Sequence, residues 1–175
     1  MNKKSTIINI VVVSALGTLL HFLYDLCNQN AFVGIFSAVN ESIWEHQKLL
    51  FFPTFAVSIV EFLICKDCKK GFFMSRLLGV LSGIVIIITL YYTITGIIGK
   101  NIDVINIALF YLGVIATFLL SNVYKKNRVL SGKYSNIIAF AIFVGIAVLF
   151  GIFTTNPPAI GIFDDPQAIK NDTGN

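Results

Sequence analysis

The chain has 175 residues, of which 56% are hydrophobic and only 13% charged, and its mean hydropathy is +0.82. A soluble domain carries about 25% charged residues, so this composition excludes a fully water-exposed surface and points to lipid as the surrounding solvent. The net charge of +4 is no signal for a nucleic-acid partner, because the basic residues stand in short clusters between apolar runs, where membrane topology accounts for them.

In chain order, Lys3 and Lys4 precede the apolar run Ile7–Leu20. A secretory signal begins the same way, but no small-residue cleavage site follows; His21, Tyr24 and Asp25 come next, so 6–26 reads as a retained first span. Crossing a bilayer takes about 20 mostly apolar residues, and 43–65, 77–98, 104–123 and 136–155 meet that requirement. Pro53 deletes one backbone bond in the second span and is expected to kink it. At the end of that span stands Cys65-Lys-Asp-Cys68. A lone Cys-x-x-Cys lacks the second half of a zinc site, and a reducing compartment keeps both residues as thiols. Glu61 lies about one turn, ~6 Å, inside the same end. An ionisable residue there is a functional candidate, with Lys66 or Arg76 as its expected partner. Ser75, Gly79 and Gly83 recur every four residues, a stripe of small side chains that lets helix backbones approach closely; packing within the chain is favoured over dimerisation. The tight loop Gly99–Asp103 makes the third and fourth spans antiparallel neighbours. The fold class is therefore all-α, a polytopic transmembrane helix bundle of five spans forming one domain, with an outer segment 27–48 and an outer tail 156–175.

Charge sets the orientation. Ten of the thirteen basic residues (Lys3, Lys4, Lys66, Lys69, Lys70, Arg76, Lys125, Lys126, Arg128 and Lys133) fall on one side of a five-span bundle, leaving Lys48, Lys100 and Lys170 for the other. The positive-inside rule puts the N-terminus in the cytoplasm and the C-terminus outside. Most acids, including Asp25, Glu41, Glu45, Asp103, Asp164, Asp165 and Asp172, collect on the outer side.

Both histidines fall there too. His21 and Asp25 are four apart and share a helix face. Asn40, Glu41, Glu45, His46 and Lys48 belong to one polar stretch before the second span, and Asp165 returns in the tail. One reading is structural: Ser42 caps the helix, Glu45 completes a capping box, and Trp44 anchors at the membrane interface. The other is functional, with His21, Asp25, Glu41, Glu45 and His46 converging on a divalent metal or a polar substrate under a cover formed by 157–166. Carboxylate and imidazole together suit zinc, iron or manganese, or general acid–base work.

The strings His21-Phe-Leu-Tyr24-Asp25, Asn40-Glu-Ser-Ile-Trp44-Glu-His46 and Phe51-Phe-Pro53, with the closing Pro157-Pro158 and Phe163-Asp-Asp165-Pro166, resemble a family of small bacterial membrane proteins of unknown function. The resemblance implies a membrane location and no activity. The segment Gln167–Asn175 departs from the Gly- and Tyr-containing tail of many members. Expected is a multi-pass protein of the cell membrane with an outer polar site, acting as a small membrane-embedded enzyme or metal-binding protein. The alternatives are an accessory subunit, docking a membrane-protein partner through the outer patch or the Ser75/Gly79/Gly83 stripe, and a small transporter.

Overall fold

A computed structural model describes residues 3–65 and 70–166; Lys66, Cys68, Lys69, Lys170, Asp172 and the rest of 167–175 lie outside the described residues. The described chain is all-helical. Helix α1 spans Lys3–Leu26, the short α2 Ala31–Gly34, α3 Ile43–Ile64, α4 Phe72–Ile98, α5 Asp103–Tyr124 and α6 Ser135–Thr155, with a 3₁₀ turn at Arg128–Ser131. Five of them (α1, α3, α4, α5 and α6) are long and apolar enough to cross a membrane, which makes this a multi-pass membrane protein by length and composition.

The helix bounds follow the apolar runs closely, except that α4 begins five residues before Leu77. The hydropathy pattern breaks at Arg76, but the helix continues through it. Arg76 is fully buried, its guanidinium lying 4.6 Å from the Phe118 ring centre and donating to the Glu61 carboxylate. Ser5 Oγ and Asn9 Nδ2 also donate to Glu61, each at 2.8 Å. A charge matched in this way costs far less to bury than a lone one, so it does not end the helix. Cys65 is disulfide-bonded, which corrects the expectation of a thiol at that position and runs against the reducing compartment that the charge bias assigns to this end; Cys68 lies outside the described residues.

Packing of α4 on α5 uses the small-residue stripe. A Cβ on Gly79 would strike Ser121 Oγ and the Thr117 carbonyl, and one on Gly83 would strike Thr117 and the Gly113 carbonyl. The stripe is thus occupied inside the chain. Gly99, at φ 76°, ends α4 in the left-handed conformation that glycine adopts without strain. The centre is apolar and aromatic, built from Val13, Leu50, Phe51, Val80, Phe118 and Phe143 among others. Large apolar side chains such as Ile7, Leu63, Ile97, Val104 and Ile137 point away from the bundle, as lipid-facing residues do.

Candidate functional site

The site is built by the segment between α1 and α3. Asn28 and Gln29 take positive φ (52° and 57°) and turn the chain back. Asn30 accepts from the Phe32 and Val33 N–H groups and starts α2. The carbonyls of Gly34 and Ser37 then accept from the buried Lys48 ammonium, at 2.8 and 3.2 Å. Lys48 also meets Glu45 at 2.6 Å, and the two side chains are 0% and 3% exposed. The Val39 N–H and the Thr154 hydroxyl donate to the remaining Glu45 lone pairs. This clasp ties segment, α3 and α6 together.

Ser42 is the N-cap of α3, its Oγ accepting from the Glu45 N–H at 3.3 Å. Only half of the expected capping box forms. The Ser42 N–H is already taken by Asn40 Oδ1 at 3.0 Å, and the Glu45 carboxylate turns to Lys48. Trp44 is half-buried. Its backbone N–H, one of the orphan donors of a helix start, donates to the Ile162 carbonyl at 3.0 Å, and its ring packs on Phe150 and Phe163.

The turn from Asn40 to Ser42 aims Glu41 at both histidines. Glu41 Oε2 lies 3.4 Å from His46 Nε2, and Oε1 lies 4.0 Å from His21 Nε2. The imidazole rings are 5.2 Å apart, and one ligand atom from each of the three residues fits within 4.8 Å of the others. His46 Nδ1 donates to the Ser42 carbonyl at 2.9 Å, since a carbonyl only accepts. That fixes the proton on Nδ1 and turns Nε2 toward Glu41, the arrangement metal-binding histidines use. His21 Nδ1 is buried and has no hydrogen-bond partner among the described residues. When the ring is protonated on both nitrogens, His46 also donates through Nε2 and holds the Glu41 carboxyl below its usual range, against the opposing effect of partial burial. Gly17, one turn before His21, lets α1 lie against the Leu49 carbonyl and the Phe110 ring, with no room for a Cβ.

A cavity of about 370 Å³ opens beside the triad, walled by α1, Glu41, the start of α3 and α5. Of the sequence-derived residues, His21, Glu41 and His46 line it. Asn40, Glu45 and Lys48 serve the scaffold instead, and Asp25 does not line the cavity. Asp165 belongs to the tail, which packs behind the site: Ile162 joins Ile43, Tyr91 and Leu109, while Phe163 meets Trp44 and Phe153. Sequence reasoning did not find Thr18, Asp103, Asn106 and Tyr111, which complete the polar part of the wall. On α5, Asp103 and Asn106 are three apart and share a face, while Tyr111 stands five residues beyond Asn106, and nothing in the sequence says that these residues meet α1.

The family described as Family of unknown function (DUF6512) matches residues 1–172 of the chain. No curated protein and no solved structure matches it.

Proposed function

We propose that this chain, which belongs to that family of unknown function, binds a divalent transition metal through His21, Glu41 and His46 and acts as a small membrane-embedded enzyme. The observation that carries the reading is the convergence of three ligand atoms within 4.8 Å, with the far nitrogen of His46 fixed by a backbone carbonyl. Ligand atoms around a tetrahedral zinc lie about 3.4 Å apart for bonds of about 2.1 Å. The 3.4 and 4.0 Å separations run to different oxygens of Glu41, and with one atom from each residue the spread reaches up to 4.8 Å, so a tetrahedral site needs a closure of up to about 1.4 Å. Two histidines and one carboxylate leave at least one coordination position open, as in catalytic rather than structural zinc sites. A water held there becomes acidic enough to supply hydroxide near neutral pH, and the adjoining cavity is where a substrate would meet it.

The distribution of basic residues supports an N-terminus inside, a C-terminus outside and a site on the outer face of a bacterial cell membrane. The test is elemental analysis of detergent-purified protein after zinc loading and washing. Roughly one ion per chain is expected for a three-ligand site, with loss of the ion in His46→Ala and Glu41→Gln. Metal-free wild-type protein, or variants that bind as the wild type does, would overturn the proposal.

A further inference from the structure

We propose that the cavity beside the triad binds a neutral lipid with a hydroxyl or amide head group, admitted sideways from the bilayer between α1 and α5; its head end rests on the reading of the triad as a metal site. The charged groups of the walls lie at the rim, and deeper the polar side chains of the lining are Thr18 and Tyr111, which bond each other. On α5 the walls run from Asp103 to Tyr111, about 12 Å at the helical rise, and on α1 from His21 back to Gly17, about 6 Å. Asp103, Asn106 and the triad occupy the rim end. Leu49, Phe110 and the bare backbone at Gly17 lie deeper. A lipid in one leaflet has the same order, with its head at the interface and its chain toward the midplane.

The flank of the cavity faces lipid. Phe22 and Ile107 are 56% and 57% exposed, on two helices with the length and composition to span a membrane. At the deep end, Thr18 and Tyr111 share a hydrogen bond of 3.2 Å that ties α1 to α5. Rimward of that tie the cavity separates the two helices. A volume of about 370 Å³ falls within the range of small-ligand sites. It suits a head group and the first part of a chain, with the rest of the chain lying along the exposed flank.

Charge selects the head. The lining residues include two carboxylates, Glu41 and Asp103, and neither Lys nor Arg. An anionic head buried against them would find no cationic side chain in the lining, and a divalent ion would cancel their charge without reversing it. Hydroxyl or amide donors instead match the acceptor oxygens of Asp103 and Asn106.

The test uses the full chain in nanodiscs with two photoactivatable probes, a diazirine monoacylglycerol and a diazirine phosphatidylglycerol of the same chain length. Adducts are mapped by peptide mass spectrometry, and zinc is measured in the same samples. Monoacylglycerol adducts should concentrate on residues 17–22 and 103–111. They should be lost in Ile107→Trp, which places an indole in the mouth, and kept in Ile115→Trp, two turns deeper on α5. Equal labelling by the anionic probe, labelling spread evenly over exposed faces such as that of α6, or insensitivity to Ile107→Trp would overturn the inference. Zinc bound without selective labelling overturns the lipid site alone. Selective labelling without zinc supports the lipid site and removes the metal.

Discussion

Glu45 and Lys48 stand beside His46 in the sequence, yet their chemistry is consumed by the scaffold. Both are buried, and every charged end meets a partner: Lys48 two carbonyls and a carboxylate, Glu45 an ammonium, a backbone N–H and a hydroxyl. Removing one member of such a pair strands the other charge, at a cost of about 3–5 kcal/mol. Lys48→Ala should therefore lower the thermal midpoint in detergent sharply. Glu41→Gln, at a half-exposed carboxylate, should change stability by about 1 kcal/mol or less while abolishing zinc binding. If both variants melt alike, the division between scaffold and site is wrong. The sequence alone could not draw that division. A helical face through Glu41, Glu45 and Lys48 looks continuous on paper, but Ser42 caps the helix. Glu41 thus stands outside α3 and turns to His21, while the other two turn inward. What could be read was the common side of these residues, because charge bias reports the side of a membrane and not the direction of a side chain.

At the scale of helices, the small-residue spacing of α4 was visible and the tight loop Gly99–Asp103 made α5 its neighbour, whereas the use of that stripe as the face between them was not, since all five spans are apolar in much the same way. Packing supplies the missing information, because Gly79 and Gly83 face the backbone of α5. Gly83→Ala should destabilise the bundle by about 1–3 kcal/mol, the usual range for overpacking. Gly145→Ala on α6, where an added methyl meets nothing within 4 Å, should be neutral or stabilising by about 0.5–1 kcal/mol. Equal midpoints for the two would show that α4 and α5 do not pack this tightly. The helices also keep the two polar ends apart. Asn9, which donates to Glu61, and His21 are twelve residues apart on α1, about 18 Å at the helical rise. Between their levels the bundle holds Val13, Leu50, Val80 and Val114, all essentially buried. Glu61→Gln should accordingly leave the zinc content unchanged; a loss would reveal a polar connection through the core and favour the transporter alternative.

For the whole molecule, composition sufficed for the number of spans, because about 20 apolar residues in water-exposed form would be untenable. Orientation is a separate inference and stands on charge. Among the described residues, Arg76 and Lys48 are buried in ion pairs, and a buried, neutralised side chain has little bearing on which loop stays in the cytoplasm. They come one from each side, so setting them aside leaves nine against two and the bias is sharper than the raw count. Five spans place the two chain ends on opposite faces, and the rule places the basic face inside. Alkaline phosphatase, which folds only where its disulfides form, should then be active when fused after Asn175 and inactive when fused after Lys70. The opposite pattern would invert the protein and put the His21–Glu41–His46 cavity on the cytoplasmic leaflet. The triad would be unchanged by that inversion, but its metal supply and its lipids would be those of the other leaflet. The fusion assay therefore decides which lipids are worth offering to the cavity.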